Sequence, residues 1–244
     1  MGRCVKLGLV AILLLLGGCA TTMDSRETAG TSVDRFSLPN NPLEPPWQSI
    51  VIRFKTPTEY SRAVIDGVPC ILGESKSSWS LLGARVPAPY SHASNLSWRW
   101  HVPNLVTGAD NESRDRDDAP VRVVVAFKGD REKIDAVDRA AMNMAKLIGG
   151  WEIPFATLQY IWEPDAKVNT IINHHTVSRI KKIVARSGSQ GLGNWVTLER
   201  DIREDFRRAF AGEEPGEIES IGLMTDTDTL HGSTRGCYAD ISLR

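Results

Sequence analysis

Short runs of alternating apolar and polar residues, each closed by turn residues, dominate the chain from Trp47 onward. The clearest run covers residues 95–102. Its apolar face holds Leu96, Trp98, Trp100 and Val102, and its polar face holds Ser97, Arg99 and His101. Because successive side chains of a strand point to opposite faces, this run predicts a strand with one buried side. Such strands need a second layer that covers the apolar side.

About a dozen runs of this kind follow one another, separated by turn residues and interrupted by two helical segments at residues 131–148 and 203–210. In the first helical segment apolar residues recur at intervals of three and four. Residues 121–127 are nearly all apolar, with Arg122 the exception, which is typical of a central strand buried on both faces. The pattern predicts a mainly β chain, an antiparallel two-sheet sandwich with two helical insertions.

The N-terminus carries an export signal. A positively charged start precedes ten apolar residues at 7–16, the length of a signal core and too short for a membrane span. The run leads into Gly17-Gly18-Cys19, which resembles the bacterial lipoprotein signal and implies removal of residues 1–18 and lipidation of Cys19. An ordinary secretory signal with an incidental cysteine is the alternative. By the same resemblance, Ala20 indicates the outer membrane, with the protein facing the periplasm.

Residues 19–46 are predicted to be a flexible tether. The segment is rich in Thr, Ser, Asp, Asn and Pro, and its apolar residues show no period. Such a segment cannot bury enough surface to offset its ordering entropy. Residues 47–244 are then predicted to form one sandwich domain, because the sequence shows neither an internal repeat nor a second core.

The charge balance excludes one class of partner. The sequence has 29 basic and 30 acidic residues, and the signal carries Arg3 and Lys6, so the remainder holds 27 against 30, a net charge of −3. A general nucleic-acid binder normally shows a basic surplus. The sequence therefore predicts no nucleic-acid partner and a membrane association that runs through the lipid anchor.

Two cysteines remain once Cys4 leaves with the signal and Cys19 is lipidated. Cys70 and Cys237 form an even pair in a compartment that permits disulfides. A bridge between the two ends of the domain and a pair of buried free thiols both agree with this arithmetic. Two lone cysteines match no zinc pattern.

Several segments together resemble a bacterial family of exported lipoproteins of unknown function, domain of unknown function 3047. They are LSWRW at 96–100, DDAPVR at 117–122, TLQYIW at 157–162, GLMTDTD at 222–228 and YADISL at 238–243. The likeness runs from about residue 47 to the end and implies no activity. The closing strand also resembles the last strand of galactose-binding-like jelly rolls, where such an ending is common in carbohydrate-binding modules. That second likeness implies a jelly-roll fold and hints at a ligand.

Polar residues on the strands are the candidate ligand contacts. Arg99 and His101 point away from the tryptophan face, and Arg122 lies on the next strand. Two arginines on neighbouring strands repel unless an anion lies between them. That anion could be an internal aspartate, such as Asp118 or Asp226, or it could be an acidic ligand. We expect that an internal aspartate, and not an acidic ligand, lies between the two arginines. His174 could join this face, although a plain surface or core histidine is the safer interpretation.

Aromatic and acidic residues complete the candidate set. Trp98, Trp100 and Trp162 could form a stacking platform for sugar rings. Burial in the core is the alternative, and it is favoured for Trp98 and Trp100, which share a face with Leu96 and Val102. Asp226 and Asp228 share one side of an extended segment, so both could meet one hard cation or a pair of sugar hydroxyls. Aspartates that cap a turn more often produce this pattern. We predict no cofactor, and calcium is the one metal worth considering.

These residues predict a non-catalytic, lipid-anchored envelope protein that binds a saccharide or another acidic or hydroxylated small ligand. The candidate ligand-binding residues are Arg99, His101, Asp118, Arg122, Trp162, His174, Asp226 and Asp228. The serine-hydrolase elbow, the zinc-protease motif, the phosphate loop and the dinucleotide fingerprint are all missing from the sequence. Two alternatives stay open: a hydrolase of envelope polymers that uses Asp118 and Asp226, and a scaffold lipoprotein that docks another envelope protein.

Overall fold

Two β-sheets packed face to face build the domain in the computed structural model, which describes residues 1–2 and 35–244. Most of the predicted signal, and Cys19 with it, lie outside the described residues. The six-stranded sheet consists of β1 (Phe36–Ser37), β3 (Glu59–Ile65), β4 (Val68–Lys76), β6 (Asn95–His101), β11 (Trp195–Asp201) and β13 (Ser233–Leu243). Its strand order is β11-β6-β13-β4-β3, with β1 paired to β13.

The seven-stranded sheet has the order β2-β5-β12-β7-β8-β10-β9. Its members are β2 (Trp47–Val51), β5 (Ser80–Arg85), β7 (Ala119–Phe127), β8 (Ala156–Glu163), β9 (Ile171–Asn173), β10 (Ile180–Ser187) and β12 (Ile218–Asp226). Sequence reasoning predicted antiparallel sheets throughout, and one pair differs, because β8 and β10 run parallel. The chain makes this possible by an excursion through β9, which pairs with the far side of β10.

The inner faces of the two sheets form one apolar core. Trp98 and Trp100 of β6 pack on Tyr160 and Trp162 of β8, with ring centroids 5.2 and 6.0 Å apart. All four side chains are buried. Alternation along the strands therefore does what the sequence predicts: it turns the tryptophan face of β6 inward and leaves Arg99 and His101 on the outside.

Two helices interrupt the strands, as predicted. The first, α1 (Ala136–Gly149), begins later than expected because residues Arg131–Lys133 form a separate 3-10 turn. Asp135 caps it by accepting a hydrogen bond from the Asp138 amide. The second, α2 (Ile202–Ala209), is capped by Asp201 and buries Ile202 and Phe206 in the core. Among the described residues, no helix is long and apolar enough to cross a membrane.

The segment before β2 is held against the domain rather than free. Phe36 and Ser37 pair with Leu243 and Ser242 of β13, and the Leu38 amide donates to the carbonyl of Ile241. The predicted tether at 19–46 is therefore too long at its C-terminal end. Its polar composition gives no sign of these backbone hydrogen bonds, which form at the end of β13, beyond the residues that pair with β4.

Cys70 and Cys237 are joined by a disulfide between β4 and β13. The neighbours of these cysteines along each strand, Ile71 and Tyr238, belong to the core. Alternation thus places the disulfide on the outer face of the six-stranded sheet, where both sulfurs are covered by a small apolar cluster that includes Trp195.

Candidate functional site

A buried cluster of charges lies on the outer face of the seven-stranded sheet. Arg122 of β7 sits between Val121 and Val123, which face the core, so its side chain must leave the sheet on the other side. The guanidinium is only 2% exposed. Its Nε and Nη2 donate to the two carboxylate oxygens of Asp226 on β12, at 2.8 and 3.0 Å. Such a bidentate pair is stronger than a hydrogen bond between neutral groups and fixes the orientation of both side chains.

A second carboxylate links Arg122 to a buried lysine. Asp117 accepts from Arg122 Nη2 at 3.0 Å and from the ammonium of Lys182, which is fully buried on β10. The Lys182 Nζ also donates to the carbonyl of Asn111 at 2.9 Å. Two cations and two carboxylates therefore balance, as removal of charge from water requires.

The pKa values in this cluster reflect both burial and pairing. Burial raises the pKa of Asp226 to about 7, although Arg122 opposes the shift. Burial also acts to raise the pKa of Asp117, but the charges of Arg122 and Lys182 outweigh it and the net pKa falls. Burial, followed by the charge of Arg122, lowers the pKa of Lys182. The geometry favours a charged network whose members stabilise one another.

Two further aspartates lie beside the cluster. Asp118 is fully buried and accepts hydrogen bonds from the backbone amides of Thr229 and Leu230, at 3.1 and 2.8 Å. Asp228 pairs with Lys55. Oxygens of Asp118, Asp226 and Asp228 lie within 4.8 Å of one another, close enough to share a cation. Each carboxylate already has a donor or a cation of its own, whereas calcium needs six to eight free oxygen ligands, so the arrangement fits turn capping better than a metal.

A polar pocket of about 210 Å³ opens above the cluster. Arg122 and Asp226 form its floor, and Trp79, Gln159 and His174 stand around it. We call this cavity the polar pocket. Gln159 accepts a long hydrogen bond from Arg122 at 3.4 Å through its amide oxygen, which leaves the amide nitrogen available to a ligand.

His174 enters the polar pocket as a neutral ring. Its Nδ1 accepts from the backbone amides of Thr176 and Val177, both at 3.2 Å, so Nε2 is the nitrogen that carries the proton. Burial, followed by the charge of Lys182, lowers the pKa of His174 to about 4. The ring is therefore a hydrogen-bond donor without charge over the whole physiological range.

A larger and more apolar groove adjoins the polar pocket on the same sheet face. It has a volume of about 610 Å³ and is lined by Ile50, Leu81, Val124 and Trp151, with charged side chains at its rim. We call it the apolar groove. Thr157 also lines it, and the Thr157 hydroxyl is buried without a hydrogen-bond partner among the described residues. A buried hydroxyl of this kind normally finds a partner, and a ligand could supply one.

Strand geometry makes the two cavities neighbours. On β7, Val124 lines the apolar groove and Arg122 lines the polar pocket; on β12, the same holds for Gly222 and Met224. Residues two apart on a strand share a face and are roughly 7 Å apart. The cavities therefore form one surface, here called the outer-face site, with a half-buried tryptophan in each part.

The structure separates the predicted ligand residues into two groups. Arg122, Asp118, Asp226, Asp228 and His174 come together at or beside the polar pocket. Arg99 and His101 lie on the outer face of the other sheet, where both contact the ring of Trp195. Arg99 also donates a hydrogen bond to Asp240 at 3.1 Å. The expected neighbourhood of Arg99 and Arg122 was wrong because β6 and β7 belong to different sheets. Arg122 does pair with the buried Asp226, but Arg99 pairs with Asp240 at the surface, so the aspartate expected between the two arginines was wrong.

Trp162 lies away from both cavities. Its ring is buried in the core against Trp100, and its indole nitrogen donates to the carbonyl of Gly188. On β8 it lies three residues after Gln159. Side chains an odd number of residues apart on a strand point to opposite sides of the sheet, so Trp162 points away from the polar pocket. The core interpretation, and not the stacking platform, describes this residue.

Sequence reasoning missed several residues of the outer-face site. Trp79 and Trp151 precede β5 and follow α1, in loops whose position no alternation predicts. Lys182 carried a usable signal, since it is followed by Ile183 and Val184 in a predicted strand, and a lysine that is buried there needs a charged partner. Asp117 had none beyond its place before the central strand.

The model of the family described as "Protein of unknown function (DUF3047)" matches residues 45–242. No curated protein matches the chain. Among similar solved structures is the family 11 carbohydrate-binding module of the cellulosomal cellulase Lic26A-Cel5E of Clostridium thermocellum, with 11% identity and a TM-score of 0.43 over 87% of this chain and 95% of that one. Another is the xyloglucanase domain of NopAA from Sinorhizobium fredii in complex with cellobiose, with 9% identity and a TM-score of 0.41 over 85% and 99%. The two-sheet sandwich is established by the strand pairing of this chain itself.

Proposed function

The chain belongs to the DUF3047 family of proteins of unknown function, and we propose that it is a non-catalytic module that binds a saccharide at the outer-face site. The observation that carries the proposal is the placement of Trp79 and Trp151, one half-buried tryptophan in each part of a single surface that also presents polar groups. Sugars combine apolar C–H faces with hydroxyl edges, and this surface offers a partner for each.

The polar pocket supplies the hydrogen bonds for the hydroxyl edges. Gln159 offers its amide nitrogen, neutral His174 offers Nε2, and both side chains are positioned by hydrogen bonds of their own. The buried cations below are balanced by Asp117 and Asp226. This internal balance favours a neutral, hydroxylated ligand over an acidic one, because an anion would meet carboxylates that already hold Arg122 and Lys182.

The same contacts speak against the hydrolase alternative. Asp118 is fully buried with two backbone amides, and Asp226 is held at both oxygens by Arg122. A catalytic pair must reach the glycosidic oxygen and the sugar ring from both sides. Neither carboxylate is free to do so, which argues against this pair as the catalytic residues of a hydrolase.

The cellular setting follows from the N-terminal sequence. We propose that the domain is tethered to the bacterial envelope through Cys19, on the periplasmic side of the outer membrane. The support for this step is the signal pattern alone. A saccharide of the cell wall or the cell surface would be within reach of a module placed there.

The proposal is tested with a panel of cell-wall and surface glycans. Trp79→Ala and Trp151→Ala should each weaken the binding of the best ligand about tenfold, the effect of losing one aromatic contact. Trp195→Ala is the matched control, because Trp195 is also half-buried but lies on the outer face of the other sheet. Equal losses of affinity in all three variants, or a loss confined to Trp195→Ala, would contradict saccharide binding at the outer-face site.

A further inference from the structure

A pair of glycines forms part of the floor of the apolar groove. Gly83 of β5 and Gly222 of β12 lie opposite each other in the register of the two strands, and both line the groove. Neither has a positive φ, so their backbone conformation does not require glycine. A glycine inside a strand has no side chain to pack, and it commonly marks a place that another group approaches closely.

Aliphatic side chains lie directly against both glycines. A Cβ atom on Gly83 would lie 2.9 Å from Ile50 Cδ1, and one on Gly222 would lie 2.9 Å from Leu81 Cδ2. Both distances are well below the roughly 3.5–4.0 Å of a carbon–carbon contact. Another residue at either position would displace Ile50 or Leu81, so the two glycines are what allows the aliphatic walls of the groove to lie close to the sheet.

The hydroxyl of Thr157 lies in this aliphatic setting. On β8 the next residue, Leu158, faces the core, so Thr157 points to the outer face, where it lines the groove. The residue is only 4% exposed, and its hydroxyl has no hydrogen-bond partner among the described residues. A buried donor without an acceptor costs free energy, so a ligand that brings an acceptor to Thr157 is favoured by the full value of that hydrogen bond.

The charged side chains at the rim of the groove are compensated. Each of them has a partner of opposite charge within the described part of the chain, in the pairs Arg85–Glu219, Lys128–Glu217 and Arg131–Glu152. A carboxylate or an ammonium group in the groove would therefore lose water without gaining an unpaired opposite charge. The groove favours a group that carries no charge.

We propose that the saccharide bound at the outer-face site carries an N-acyl group, as an N-acetylhexosamine does, and that the apolar groove holds this group. The inference rests on the proposed function and names the class of sugar. The acyl methyl packs against Ile50, Leu81 and Val124, and the amide carbonyl accepts a hydrogen bond from the Thr157 hydroxyl. A sugar hydroxyl at the same place would exchange water for aliphatic walls, with Thr157 as its one partner there, so it fits the groove less well.

The test compares two ligands that differ in one group. Chito-oligosaccharides and cello-oligosaccharides of equal length have the same linkage, and the first carry an acetamide where the second carry a hydroxyl. Isothermal titration calorimetry measures the affinity of the full chain for each. Thr157→Val removes the hydroxyl and keeps the branched shape, whereas Thr157→Ser keeps the hydroxyl. Thr234→Val is the matched control, since Thr234 also has a buried hydroxyl without a partner among the described residues but lies on β13 of the other sheet.

We expect the parent to bind the chito-oligosaccharide at least about tenfold more tightly than the cello-oligosaccharide. Thr157→Val should lose most of this preference, with circular dichroism showing that it is folded, whereas Thr157→Ser and Thr234→Val should retain it. Equal affinities in the parent, no binding of the chito-oligosaccharide, or an unchanged preference in Thr157→Val would overturn the N-acyl inference. The proposed function survives those results if another glycan binds in a way that depends on Trp79 and Trp151, and it fails if no glycan binds.

Discussion

Arg99 and Arg122 both point away from the core, one from each sheet, and they meet very different surroundings. The Arg99 side chain is 29% exposed over the Trp195 ring, and its partner Asp240 is at the surface. The Arg122 side chain is 2% exposed and pairs with Asp226 and Asp117, and Asp117 also pairs with the buried Lys182. The difference comes from the segments that cover the strand, chiefly the loop that contains Asp117 and the turn around His174. The loops that cover the outer face of a sheet, more than the alternation along its strands, therefore decide where a buried charge cluster forms.

The disulfide provides the largest expected effect, and it stabilises the face that has no buried charge cluster. Cys70→Ala/Cys237→Ala removes a covalent link between residues 167 apart in sequence. In the chain-entropy model this should lower the free energy of unfolding by about 5 kcal/mol, as measured by guanidinium denaturation. A loss below about 1 kcal/mol would mean that the paired strands alone hold this sheet together.

Removing the buried arginine tests the other face. Arg122→Met should lower the free energy of unfolding by about 3–5 kcal/mol, because it leaves Asp226 and Asp117 buried with one cation fewer. Arg99→Met is the matched control on the exposed face and should change stability by less than about 1 kcal/mol. Similar losses from the two variants would contradict the contrast between the faces.

A smaller effect is expected from the aspartate that caps the turn beside the cluster. Asp118→Ala leaves the amides of Thr229 and Leu230 without their acceptor, which should lower the free energy of unfolding by about 1–3 kcal/mol. Asp240→Asn is the comparison on the six-stranded sheet. That residue is half exposed at a φ of 54°, which asparagine tolerates, so urea denaturation should barely distinguish it from the parent.

The smallest signal concerns the ionisation of His174. Its folded pKa is lowered to about 4 from an ordinary 6.5, so the unfolded chain binds the proton first. The stability that this residue contributes is therefore complete above about pH 6.5 and declines as the pH falls toward 4. A histidine NMR titration should place the His174 pKa near 4. A midpoint near 6.5 would show that the ring is open to water and lies outside the polar pocket.

Alternation along single strands made much of this fold predictable. It placed Trp98 and Trp100 inward, Arg99 outward and Arg122 on the far side of its strand, because those directions depend only on the local backbone. Which strands become neighbours depends instead on long connections. The chain passes from β6 to the other sheet before β7, and returns through β9 to make a parallel pair, and neither step leaves a local trace in the sequence.

The candidate site shows the same limit. Arg122 and Asp226 were recognised as charges in or beside apolar strands, and physics alone requires such charges to be paired. The tryptophans of the outer-face site were not recognised, since loops position Trp79 and Trp151. The disulfide remained one of two alternatives because two cysteines at opposite ends of a domain reveal their distance only when β4 and β13 are known to be paired.

Chemical-shift mapping tests the central claim most directly. The isotope-labelled protein is titrated with the glycan that binds best, and the shifted amides are mapped onto the two sheets. The account predicts shifts at β5, β7, β8 and β12 and around Trp79, Trp151 and His174, with β4, β6, β11 and β13 unaffected. Shifts centred on Trp195 and His101, or no shift with any glycan of the panel at millimolar concentration, would contradict it.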